Sequence, residues 1–182
     1  MRIQEGQFAP GFFTTDVYGK EVNLIDYKGR KIIIGFYRNV SCPFCNRRVH
    51  KIMGNSIRLR ETGVEILFFF ESSPEKIKSS VFHQGIIPWP IIGDPEKRVY
   101  NQYGVESSLI KNIKTMFRSN LIKAKKDTRD LNLPKDKDAS FNLVPADIFI
   151  DENLKVVKAH YGEHMDDHVS FEEIEKFVGL RD

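Results

Sequence analysis

Two cysteines, Cys42 and Cys45, stand three positions apart in the segment Ser41-Cys-Pro-Phe-Cys45. Two cysteines placed at random in a chain this long fall three apart about 1% of the time, so the spacing asks for a chemical reason. Three residues is close to one helical turn. It brings both sulfurs to one face, where one thiol can attack a mixed disulfide formed on the other. A thiolate at a helix N-terminus also meets unpaired backbone N–H groups and the positive end of the helix dipole, which lowers its pKa from ~8.5 toward neutrality. Cys42, the outer residue, is therefore the expected nucleophile and Cys45 the expected resolving thiol. Arg38, Arg47 and Arg48 add positive potential around them.

The elements around the pair suit that chemistry. Residues 31–37, Lys-Ile-Ile-Ile-Gly-Phe-Tyr, form an apolar, β-branched run expected as a strand buried on both faces. Pro43 belongs at the first helical position, where its missing N–H costs nothing. From there Val49, Ile52, Met53 and Ile57 recur at helical spacing, and Gly63 is the expected stop. The same reasoning gives a hairpin from residues 12–16 and 21–24 across Tyr18-Gly-Lys20, and a buried strand at 64–70. Next come a helix begun at Ser73-Pro74 with Ser73 or Ser72 as its cap, a short strand and turn at 90–94 and a brief helix at 95–103. Residues 108–126 read as a weakly amphipathic helix and 127–142 as a polar loop. A hairpin from 146–150 and 154–160 and a closing helix at 171–180 complete the chain. This order calls for a central sheet with helices on both faces, in one domain spanning 1–182.

Other readings of the same residues stay open. A Cys-x-x-Cys pair is half of a zinc site, with His50 near enough in sequence to be a third ligand, but no second cysteine pair supplies the rest. His160, His164 and His168 with Asp166 and Asp167 form a second metal-like cluster, unless a turn at Gly162 separates them. A metal-binding interaction module is thus a third functional class. Trp89, between Pro88 and Pro90, is expected to pack or to rim the cleft. No phosphate loop or dinucleotide fingerprint is present, and no cofactor is called for.

Composition limits the partners. The 182 residues are 41% hydrophobic and 29% charged, with a formal net charge of +3, as expected of a soluble globular protein. Segment 111–138 carries a net +5 and segment 151–182 a net −5, an asymmetry able to steer a partner protein. The modest overall charge and the lack of a binding motif argue against nucleic acid. No run approaches the ~18 apolar residues of a membrane helix, and the N-terminus lacks an apolar core, so no membrane association and a cytoplasmic location are expected.

Phe36-Tyr-Arg-Asn-Val-Ser-Cys-Pro-Phe-Cys45 resembles the active-site segment of thioredoxin-fold proteins. Over almost its whole length the chain is similar to the peroxiredoxin-like branch of the AhpC/TSA (alkyl hydroperoxide reductase/thiol-specific antioxidant) family. The matching segments include Gly6-Gln-Phe-Ala-Pro-Gly-Phe12, Glu71-Ser-Ser-Pro-Glu-Lys76, Ile92-Gly-Asp-Pro-Glu-Lys97 and Leu143-Val-Pro-Ala-Asp-Ile-Phe-Ile-Asp151. The resemblance implies a thioredoxin-like α/β/α sandwich with an N-terminal β-hairpin extension and a central mixed sheet. It implies a cis bond before Pro145, turning the Val144 backbone toward an extended substrate. It also shows a departure. Typical peroxiredoxins place Thr or Ser three residues before the peroxide-attacking cysteine and Pro seven before, where this chain has Asn39 and Gly35. The leading expectation is therefore a thiol–disulfide oxidoreductase acting on a protein or small-molecule disulfide. The alternative is a thiol-dependent peroxide reductase in which Cys42 is oxidised and Cys45 resolves it, with an unidentified thiol as electron donor.

Overall fold

The computed structural model describes residues 1–80, 88–105 and 143–180. The apolar runs form the centre. Strand β3 (Ile32–Tyr37) has every residue buried, and β4 (Glu65–Phe70) all but its first. The two run parallel, Ile32 opposite Glu65 through Tyr37 opposite Phe70. β5 (Ile91–Gly93) extends the sheet in parallel beyond β4. β6 (Ala146–Ile150) and β7 (Val156–Tyr161) add to the other side of β3 as antiparallel strands. The order β5-β4-β3-β6-β7 is the expected mixed sheet. The N-terminal hairpin forms a separate sheet of β1 (Phe13–Thr15) and β2 (Glu21–Asn23), turned at Gly19, whose φ of 86° suits glycine.

Alternate residues of each strand feed two cores. On one side Ile33, Tyr37, Ile66, Phe68, Phe70 and Phe149 meet Phe44, Cys45, Val49 and Ile52 of helix α1 (Pro43–Gly54), with Ile174 and Val178 of the last helix. On the other side Ile32, Ile34, Phe36, Leu67, Phe69, Ile148 and Ile150 meet Phe12, Val22, Tyr100 and Tyr103. Trp89 packs on the first side, its indole N–H donating to Val64 O at 3.1 Å.

Several boundaries differ from the sequence reading. The helix expected to run to Gly63 breaks at Asn55, and α2 (Ser56–Glu61) follows. Asn55 closes a tightened turn, its N–H on Ile52 O at 3.1 Å and its side chain on Lys51 O at 2.8 Å, which gives terminal carbonyls of α1 partners. The second hairpin strand stops at Asn23, because its side chain accepts from Ile25 N and starts a 3-10 turn, Leu24–Tyr27. Helix α3 (Pro74–Lys78) begins at Ser73, which caps it as expected. Helix α4 is only Arg98–Gln102, held by the Asp94 carboxylate on the N–H groups of Arg98 and Val99. Leu154 has a positive φ in the turn, so β7 starts two residues late. The closing helix α5 (Phe171–Val178) carries a capping box of Ser170 and Glu173 and ends at Gly179. The expected helix at 108–126, the loop at 127–142 and the basic segment at 111–138 lie outside the described residues.

Candidate active site

Cys42 stands where β3 hands over to α1. Its extended backbone (φ −73°, ψ 114°) makes it the N-cap, with Pro43 at the first helical position. The approach is fixed by side chains. Asn46, fully buried, donates from its amide to Val40 O at 2.8 Å and to Cys42 O at 2.9 Å, tying the loop to the helix it starts. Asn39 O accepts from Cys42 N at 3.1 Å, and Ser72 Oγ accepts from Val40 N at 3.1 Å. Both cysteines are free thiols, Cys42 2% and Cys45 1% exposed.

Their environments push them apart. A hydrogen bond from the Cys45 thiol is the largest influence on Cys42; burial opposes ionisation. The Arg38 charge and the backbone N–H groups of Cys45 and Phe44 then add to the hydrogen bond and lower Cys42 from 9.0 to about 7. Burial, followed by its bond and proximity to the Cys42 sulfur, holds Cys45 well above an ordinary thiol. Of the three arginines expected around the pair, it is Arg38 whose charge favours the thiolate. Arg38 is 7% exposed and its Nη1 lies 2.6 Å from Met165 Sδ. Arg47 instead pairs with Asp166.

Arg48 belongs to a network that the sequence reading missed. Beneath α1, Asp147 Oδ2 lies 3.0 Å from His168 Nδ1 and accepts from Val169 N at 3.0 Å. Burial disfavours its charge, but the His168 imidazole, the Arg48 guanidinium and the Val169 amide outweigh it and hold the carboxyl well below the usual range. Tyr37, also fully buried, hydrogen-bonds Arg48. Burial and the Asp147 charge keep its phenol protonated. An aspartate inside the apolar run Ala-Asp-Ile-Phe-Ile was the available signal, since a buried charge needs a partner. Gly35 opposite it has a steric reason, because a Cβ there would lie 2.6 Å from the Tyr37 ring.

Val144 and Pro145 lead into β6, whose Ala146 pairs with Phe36, and so lie beside the strand end that launches Cys42. The implied cis bond is not there: the described residues contain no cis peptide, and Val144–Pro145 is trans. Pro145 O accepts from Gly162 N at 2.9 Å, which anchors the segment as the start of an ordinary strand. Ser41 Oγ, the nearest hydroxyl to the missing Thr/Ser position, donates to Asn39 Oδ1 at 2.5 Å. The histidines disperse: His160 Nε2 contacts Asp167, His168 contacts Asp147, and His50 is exposed. Among the described residues no three His, Cys, Asp or Glu side chains are grouped as metal ligands, and no helix is long and apolar enough to cross a membrane.

The chain is similar to known proteins in sequence and in fold. Peroxiredoxin Bcp of Escherichia coli is 28% identical over 103 residues, covering 57% of this chain and 65% of that protein. The structure of peroxidoxin BcpB from Mycobacterium tuberculosis superposes with a TM-score of 0.66 at 15% identity, covering 98% of this chain and 96% of that one. A chain from Chlorobium tepidum provisionally assigned as the thiol:disulfide interchange protein DsbE gives 0.64 at 18% identity, covering 97% and 99%. Both structures share the thioredoxin-like α/β fold. The family model for AhpC/TSA matches residues 6–159, from the loop before β1 into β7. With a thiol pair at the strand–helix junction of this fold and a family match over most of its length, the chain belongs to the AhpC/TSA family of thiol-dependent oxidoreductases.

Proposed function

We propose that the protein is a thiol–disulfide oxidoreductase in which Cys42 is the nucleophile and Cys45 the resolving thiol. The observation that carries this is the opposite displacement of two thiols one turn apart, Cys42 down to about 7 and Cys45 well up. At neutral pH about half of Cys42 is thiolate. It attacks one sulfur of a disulfide, forming a mixed disulfide and expelling the other sulfur as a thiolate. Cys45 then loses its proton and attacks Cys42 Sγ, releasing the second substrate thiol and leaving Cys42–Cys45 oxidised. Two electrons pass to the substrate, and a thiol donor returns them. Arg38 favours the thiolate throughout; Val144 and Pro145 border the approach to it. A cytoplasmic setting and a single-domain organisation accord with this role.

A second reading has its own support. Cys42 is 2% exposed, so a protein disulfide reaches it only if neighbouring chain moves, whereas a hydroperoxide demands the least room. The match to peroxiredoxin Bcp points the same way. Here the thiolate takes the distal peroxide oxygen to become a sulfenic acid, releasing an alcohol or water, and Cys45 condenses with it to give the same disulfide and water. Stopped-flow oxidation of the reduced protein separates the two. Faster formation of Cys42–Cys45 with a small disulfide than with hydrogen peroxide supports exchange; the reverse order makes the chain a peroxide reductase. No intramolecular disulfide from either oxidant would overturn both.

A further inference from the structure

Glu71 is a buried carboxylate that the dithiol chemistry leaves unused. It follows β4 directly, and its side chain is 3% exposed. Beyond the last paired residues, Tyr37 and Phe70, its N–H donates to Arg38 O at 3.0 Å and keeps the two strand ends joined. Its Oε1 accepts a long hydrogen bond from Asn39 Nδ2 at 3.5 Å. Glu71 thus touches two loop residues that act on Cys42. Arg38 supplies a charge that favours the thiolate. Asn39 accepts from Cys42 N through its carbonyl, and its side-chain oxygen accepts from Ser41 N at 3.1 Å, which closes the turn into α1.

A second, independent observation concerns the cation that meets this carboxylate. Lys97 Nζ lies 3.2 Å from Glu71 Oε2. Lys97 has a φ of 56°, in the left-handed region that favours glycine. Such a backbone persists only where its surroundings fix it, and it clusters where function needs it. Here it delivers an ammonium to a buried acid. Other polar groups on that side are engaged elsewhere: the Asp94 carboxylate accepts from the N–H groups of Arg98 and Val99, and the Tyr100 hydroxyl lies 2.5 Å from Tyr37 O. Burial disfavours the Glu71 charge, while Lys97, then the Asn39 amide and Arg38, favour it. Two anions therefore share Arg38, the Glu71 carboxylate and the Cys42 thiolate.

We propose that Glu71 is a positioning residue for Cys42: it holds Asn39 in the turn that presents the sulfur, and it draws on the Arg38 charge that the thiolate shares. It acts through those two residues. The role rests on Cys42 as the reacting thiol, whichever oxidant it meets. Neutralising Glu71 leaves Arg38 to the thiolate, so Cys42 should then ionise at lower pH.

Iodoacetamide labelling of Cys42 against pH, in the reduced full chain, tests it. In Glu71→Gln the fraction of the maximal rate reached at pH 6 should rise about two- to threefold over the natural chain. Glu152→Gln, at an exposed carboxylate past the far end of β6, should leave it unchanged. Glutamine keeps an acceptor for Asn39, so the maximal rate of exchange with a small disulfide should stay within about twofold. Glu71→Ala has no such acceptor and should show the same pH shift with a loss of about threefold or more in that rate. Either variant carries the pH test if the other does not fold. An unmoved pH profile, or equal exchange rates in the two Glu71 variants, would overturn the proposal. A natural chain whose Cys42 shows no titration near 7 would overturn the thiolate reading itself.

Discussion

The two faces of the central sheet are built from alternate residues of the same strands, yet they satisfy their polar groups differently. On the face covered by the hairpin, Phe36 is packed by Phe69, Tyr100 and Tyr103 at 4.9–5.4 Å between ring centroids. Its tyrosine hydroxyls end on backbone carbonyls: Tyr100 Oη lies 2.5 Å from Tyr37 O, and Tyr103 donates to Pro10 O at 2.8 Å. The face covered by α1 buries Asp147, Arg48, His168 and both thiols instead, and among the described residues Arg48 Nε and Nη2 and His168 Nε2 have no hydrogen-bond partner. One face is closed and serves stability. The other keeps charge and unmet hydrogen-bonding capacity next to the reactive sulfurs, as expected where chemistry is done.

Substitutions on each face sharpen that contrast. The largest effect falls on activity: Cys42→Ser should lower disulfide or peroxide turnover by roughly three orders of magnitude or more. Cys45→Ser should still react once and stop as a mixed disulfide or sulfenic acid, visible by intact mass. A Cys45→Ser enzyme that turns over at the normal rate would remove the resolving role. On the closed face, Phe36→Ala should cost about 4 kcal/mol in urea unfolding through the cavity left among the rings. Asp147→Asn should cost about 3 kcal/mol, because Arg48 loses its buried counter-charge. This contribution has a definite pH sense. The folded carboxyl ionises more readily than the unfolded one, so its stabilisation is complete above ~4 and is lost as pH falls further. The variant should therefore show a flatter acid limb than the natural chain, and an identical limb would deny the pairing. The smallest effect is Tyr103→Phe, about 1 kcal/mol for one hydrogen bond, with no change in thiol reactivity.

The sequence made the closed face and the thiol pair easy to read and the charged network hard. Residues 31–37 and 64–70 declare buried strands by unbroken apolar runs, and strand–Cys-x-x-Cys–helix follows from a change of period at Pro43. Asp147 and His168 lie 21 residues apart on different elements, so no local spacing joins them, and His168 invites a false grouping with its acidic neighbours. The break at Asn55 depends on a side chain reaching back to Lys51 O, a choice that periodicity does not register. The cis expectation at Pro145 came from resemblance alone, and the bond before Pro145 is trans.

The account rests on the unequal ionisation of the two thiols. The direct measurement is the rate of iodoacetamide labelling of the reduced protein from pH 5 to 10, with the labelled cysteine located by peptide mass. The predicted result is a single titration with its midpoint near 7, the label on Cys42, and a midpoint that moves upward in Cys45→Ala, which removes the thiol donor. A midpoint near the free-thiol value of ~8.5, or labelling of Cys45 in preference to Cys42, would contradict it.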